Sequence, residues 1–257
     1  MQSPKEHRKI EDGMSTRPDV RISPDPPSLF RAAAEEFASQ AKAAVLARGR
    51  FTVALSGGST PKSLYALLAT IPNLPWDKTY FFFGDERHVP PDNPESNYRM
   101  ANEALLSKIP VSAGNVFRVT AENPDASEAA AAYEQTLKEF FKPPAGSFPR
   151  FDLILLGMGP DGHTASLFPS GKALHEKSRW AVSDWVDKFK TDRITLTLPI
   201  LNNAAAVMFL VSGGDKAGVL KEVLEGKQPG ELYPSKLIRP SNGKLTWMVD
   251  QPAAAQL

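Results

Sequence analysis

An acid and a histidine two residues apart, Asp161 and His163, follow a glycine-rich run in "LILLGMGPDGHTASLF", residues 153–168. An imidazole that titrates near neutral pH can take a proton from water and give it back, and a neighbouring carboxylate can fix its tautomer. The same run formally matches G-x-G-x-x-G through Gly157, Gly159 and Gly162, the pattern of dinucleotide-binding folds. Such a pattern must open a long helix and be followed about 20 residues later by an acid that ends the next strand. Here Pro169 and Gly171 stop any helix, and Asp184 falls inside "AVSDWV" rather than at a strand's end. The glycines are therefore read as a loop presenting Asp161 and His163, and no NAD is expected. Nor is a metal, since His7, His88 and His175 form no ligand spacing with His163.

A second group lies in "LSGGSTPKSL", residues 55–64. Gly57 and Gly58 allow a ligand to approach the backbone, Ser59 or Thr60 is placed to cap a helix, and Pro61 suits its first position. Backbone N–H groups at such a helix start form an anion site, although ordinary capping explains the same residues. There is no G-x-x-x-x-G-K-[ST] spacing, so ATP is not indicated. "VSGGDKAGVL" at residues 211–220 echoes the arrangement and suggests a second turn of the same kind. In "FFFGDERHVPPDNPESNY", three phenylalanines run into Asp85, Glu86, Arg87 and His88. A charged run is usually a solvated turn, but its place after a buried strand favours a site. Arg193 and Lys216 stand beside a strand start and a helix start, and neither alone argues for more than a surface role.

The elements that must position these residues follow from apolar runs of four to eight residues alternating with helical spacing. Strands are expected at Val20–Ser23, after Arg50, at 79–84, Phe151–Leu156, Arg193–Leu198, Ala205–Ser212 and Lys244–Val249. Helices are expected at Pro27–Arg48, after the first glycine turn, and at Asn97–Lys108, Asp125–Phe141 and Asp215–Glu225. This is a doubly wound α/β fold: a mostly parallel, Rossmann-like sheet with helices on both faces and a small additional α/β lobe. In such sheets the ligand crevice lies beyond the carboxyl ends of the strands, where each glycine turn falls. Residues 1–18 read as a disordered lead and residues 19–257 as a single α/β domain.

Composition removes several classes of function. A net charge of +1 on 257 residues gives no field for nucleic acid or anionic membrane, so an anionic ligand needs a local site. The absence of cysteine excludes thiolate chemistry and suits a cytoplasmic protein, and no apolar run is long enough to span a membrane. No apolar stripe separates from core patterning, which leaves monomer and dimer both open.

Taken in order, "ALSGGSTP", "FFFGDERHVPPDNPESNY", "LLGMGPDGHTASLFP", "RITLTLPILNNA" and "VSGGDKAGVL" resemble the glucosamine-6-phosphate isomerase/6-phosphogluconolactonase superfamily, over about residues 25–250. The GDER-H-V and DGHTASLFP strings resemble its lactonase branch. That resemblance implies hydrolysis of a sugar-phosphate lactone, 6-phospho-D-glucono-1,5-lactone, without metal or organic cofactor. It implies His163 as the base, Asp161 as its orienting acid, and Asp85 as a contact to sugar hydroxyls or an aid to the base. It implies a phosphate site built from Ser56, Gly57, Gly58, Ser59 and Thr60 with Arg193 and Lys216, while Arg87 braces the loop or touches substrate. The isomerase branch would need a carboxylate five residues after the histidine, where this chain has Phe168. A sugar-phosphate-binding regulator would need none of Asp85, Asp161 and His163. The expectation open to direct inspection is that His163, Asp85, Arg193 and the 56–60 turn converge on one pocket.

Overall fold

The computed structural model describes residues 19–257, and the lead expected over residues 1–18 lies outside them. In chain order the first half contains β1 (Asp19–Ser23), α1 (Pro26–Arg48), β2 (Phe51–Leu55), α2 (Ser59–Leu68), β3 (Thr79–Phe83), β4 (Asp85–Arg87), α3 (Asn97–Ala104) and α4 (Ala126–Phe141). The second half contains β5 (Leu153–Gly157), β6 (Ala181–Val186), β7 (Thr191–Leu196), α5 (Leu198–Asn202), β8 (Ala206–Val211), α6 (Ala217–Glu225) and β9 (Lys244–Asp250). Local chemistry sets the long helices. Asp25 accepts from Ser28 N–H ahead of Pro26 and Pro27, and Gly49, at φ 72°, closes α1. Asp125 caps α4 in the same way, through the N–H groups of Ser127 and Glu128.

Six strands form one sheet in the order β1-β9-β8-β5-β2-β3, every pair parallel. Helices cover both of its faces, as β3 shows. Adjacent strand residues point to opposite sides: Phe81 packs on Trp76, which meets Phe37 of α1, whereas Phe82 packs on Phe140 and Phe141 of α4. With both faces buried, β2 and β8 are buried at every position, which is why they read as unbroken apolar runs. Parallel pairing also brings the ends of β2, β5 and β8 to one edge, and the glycine turns with them.

The additional lobe is an antiparallel sheet, β4-β7-β6. The strand expected at Arg193–Leu198 belongs here rather than in the main sheet, and "AVSDWV", not assigned as a strand from sequence, is its partner β6. Gly84 joins the two sheets: its N–H donates to Leu55 O of β2 and its carbonyl accepts from Leu196 N of β7. The helix expected over Asn97–Lys108 stops at Ala104 and continues as a 3₁₀ turn, Leu106–Lys108. That expected over Asp215–Glu225 begins as a 3₁₀ turn, Gly214–Lys216, before α6.

Candidate active site

Beyond β5 the chain turns back on itself instead of opening a helix. Gly159 N–H donates to His163 O, Gly162 N–H to Gly159 O, and Thr164 Oγ1 to Gly157 O. Asp161 Oδ1 accepts from the backbone N–H of His163 and is also bonded to its ring Nδ1. Burial works against the Asp161 charge, but the hydrogen bonds from His163 and Lys188 outweigh it and hold this carboxyl well below the usual range. An ionised Asp161 keeps the proton on Nδ1 and leaves Nε2 as the nitrogen free to accept one.

The glycines of the formal dinucleotide pattern have other uses here. A Cβ on Gly159 would overlap the His163 ring, so the second glycine makes room for the imidazole. Gly162 adopts φ 76° against Tyr233, and around Gly157 a Cβ would meet nothing. Phe168 stacks on the ring of His163, centroids 4.3 Å apart and planes inclined by 28°.

The turn after β2 faces the same space. Tyr65, fully buried, accepts from Ser56 N–H and donates to Ser56 O, both at 2.9 Å, which fixes the chain where the strand ends. Burial pushes its phenol upward. Neither Ser59 nor Thr60 caps α2: the cap position is Gly58, at φ 105°, and Pro61 is the third helical residue rather than the first. The hydroxyls lie within the first turn, so no side chain covers the N–H groups at the helix start. Ser56, Gly57, Gly58, Ser59, Thr60, Asp85, Arg87, His163 and Lys216 line one cavity of about 220 Å³.

Asp85 is buried beside that cavity. Its Oδ2 accepts from Ser166 Oγ at 2.7 Å and its Oδ1 from Asn97 Nδ2 at 3.3 Å. Asn97, which also lines the cavity, occupies the space where a Cβ on Gly57 would go. Sequence reading assigned no role to Asn97 or Ser166. Both lie within strings quoted for the resemblance, but their function depends on contacts to a residue 12 and 81 positions away, respectively. Glu86 is not solvated either. Its carboxylate accepts from Ser96 Oγ and from the N–H groups of Arg87, Asn97 and Tyr98, anchoring the start of α3. Burial pushes its carboxyl up against those bonds.

Asp161 and Arg193 do not line the cavity, and for Arg193 the expected convergence holds only at one remove. Arg193 pairs in register with Arg87 across β4 and β7, and its guanidinium lies 5.0 Å from the Phe189 ring centroid. It is 7% exposed, and its Nε and Nη1 have no hydrogen-bond partner. Burial first, then the charge of Arg87, lowers its affinity for the proton. Ser56 Oγ is likewise buried without a partner. Buried donors in this condition call for an acceptor.

The second glycine turn is not equivalent to the first. Asp250, fully buried at the end of β9, accepts from Ser212 Oγ, Gly213 N–H and Ala253 N–H, so a carboxylate of the protein already fills that turn. Lys216 still reaches the cavity, paired at 2.9 Å with the exposed Asp215. Among the described residues no cluster of three or more His, Asp or Glu side chains could hold a metal ion.

Residues 24–247 match the family described as glucosamine-6-phosphate isomerases/6-phosphogluconolactonase. The chain belongs to that family. Within the glucosamine-6-phosphate isomerase/6-phosphogluconolactonase family it is 42% identical, over 93% of its length and 98% of the relative's, to a 6-phosphogluconolactonase of Nostoc sp.. It is 44% identical to one of Synechocystis sp. over 83% of this chain and 88% of that one. Among solved structures it is similar to 6-phosphogluconolactonase from Trypanosoma cruzi, with a TM-score of 0.85 at 32% identity, covering 95% of this chain and 98% of that one.

Proposed function

We propose that this chain hydrolyses 6-phospho-D-glucono-1,5-lactone to 6-phosphogluconate, the second step of the oxidative pentose phosphate pathway. The observation that carries the reading is that the imidazole of His163, paired with Asp161, lines the same cavity as an uncapped helix start. The likeness to lactonases supplies the substrate class. The N–H groups of the 56–60 turn, Ser56 Oγ, Lys216 and the guanidinium of Arg193 bind the phosphate. Arg87, beside Arg193, adds charge at the same end.

His163 takes a proton from water as the water oxygen bonds to C1, and the carbonyl electrons move onto oxygen. As the tetrahedral intermediate collapses, the C1–ring oxygen bond breaks and His163 returns the proton to the departing oxygen. Asp161 holds the imidazole for both transfers. Asp85, its oxygens already engaged by Ser166 and Asn97, is a fixed acceptor for a sugar hydroxyl. These steps use protein groups alone, and the reading includes no metal or cofactor. No helix among the described residues is long and apolar enough to cross a membrane, and a cytoplasmic location is part of the same proposal.

The test is hydrolysis at neutral pH of lactone generated in situ from glucose 6-phosphate, with the spontaneous rate subtracted. His163→Ala is expected to lower kcat by about 10² or more with KM nearly unchanged. Absence of acceleration by folded wild-type protein refutes the activity, and full activity in the variant refutes the base.

A further inference from the structure

The tip of the β6–β7 hairpin carries two side chains that the proposed reaction does not use. Lys188 Nζ donates to Asp161 Oδ2 at 3.2 Å, while the other carboxylate oxygen is held by His163. The partners are 27 residues apart, so only the placement of the hairpin brings them together. Phe189, the next residue, meets the edge of Phe168 at 5.9 Å and 66°, and Phe168 in turn covers the face of His163. The tip is tied down by its own bonds: Phe189 N–H to Val186 O at 3.0 Å, Trp185 Nε1 to Asp187 at 3.2 Å, and Lys190 Nζ to Asp187 at 3.0 Å.

We propose, resting on the lactonase reading, that this hairpin tip is a positioning element for the base. Lys188 holds the Asp161 carboxylate against Nδ1, and Phe189 holds the ring face through Phe168. Neither residue touches the reacting atoms. The tip grips His163 from two directions, along the hydrogen bond and across the ring plane.

Lys188→Met keeps the aliphatic stem and removes the charge from a side chain that is 53% exposed, so folding is not at risk. Asp85 and Arg87 on β4, Arg193 on β7 and Lys216 ahead of α6 are the other charges around the cavity, and the substitution leaves all of them in place. The expected result is a kcat lower by about fivefold, as for loss of a partly exposed ion pair, with KM unchanged. Lys188→Arg should restore kcat, and Lys190→Met, from the same turn, should leave it unchanged. A reading independent of turnover is the downfield proton NMR signal of the His163–Asp161 bond in resting protein at low temperature. It should move in Lys188→Met and return in Lys188→Arg. A wild-type kcat with an unmoved signal, or equal effects of the Lys188 and Lys190 variants, overturns the proposal. A signal that moves only in Lys188→Met, in a wild-type protein that does not accelerate lactone hydrolysis, leaves the positioning role standing and removes the lactonase reading.

Discussion

Gly159→Ala tests whether this glycine serves the histidine, and Gly157→Ala is its internal control. A Cβ at position 159 would overlap Nδ1 and Cε1 of His163 and come within 2.9 Å of Asp161 Oδ1. The ring cannot simply swing away, because Phe168 covers its face at 4.3 Å and Asp161 holds Nδ1. Relief requires the imidazole to leave its position by about 1 Å or to break the Asp161 bond, and a misplacement of that size costs about 10²-fold in rate. The obstructing atoms end a side chain that is 22% exposed, so stability should fall by no more than about 1–3 kcal/mol, as for modest overpacking. Gly157 has open space at the Cβ position and no positive φ, and alanine there should be silent. Steady-state lactone hydrolysis together with thermal melts separates the possibilities. Wild-type kcat in a folded Gly159→Ala protein, or equal impairment of the Gly157→Ala control, would refute the assignment of this glycine to the imidazole.

Arg193→Ala and Lys216→Ala should act mainly through KM, measured in the same assay, and a fall confined to kcat would remove these residues from the phosphate site. Glu86→Gln places an amide donor among the Ser96 hydroxyl and three backbone N–H donors, and should cost about 1–3 kcal/mol in a denaturant titration. Its pH signature is also fixed. Because the folded carboxyl is raised above the ordinary 4.5, its stabilising contribution is complete below that value and declines as pH rises through the folded value. The glutamine variant should lose this segment of the stability curve, and an unchanged slope would show that Glu86 is not the group responsible.

The parts of the site legible in sequence are those that local geometry dictates. A glycine turn after a strand buried on both faces must fall at the carboxyl edge of a parallel sheet, which is how Ser56–Thr60 and the His163 loop were found together. What stayed hidden depends on partners far along the chain. β6 mixes Ser183 and Asp184 into a short apolar run, and Asp184 is buried because Ala173 N–H donates to it. β4 has three residues, all polar, and is a strand because β7 pairs with it more than a hundred residues later. The two turns share Ser-Gly-Gly, and what separates them in space is Asp250, supplied by the strand before the carboxyl end.

Gly84 places a seam through the middle of the site. On one side of this residue the main sheet supplies the 56–60 turn and the His163 loop, and on the other the antiparallel sheet supplies Asp85 and Arg87. A ligand that touches both sides of the cavity therefore bridges two hydrogen-bonded sheets, which Gly84 joins through its own backbone and which the Ser166–Asp85 and Lys188–Asp161 bonds tie again at the His163 loop. Any shear between the sheets changes the distance from Asp85 and Arg87 to His163. Alignment of the groups around the cavity is thus a property of how two sheets are stitched, and one of those stitches lies at a position with no side chain.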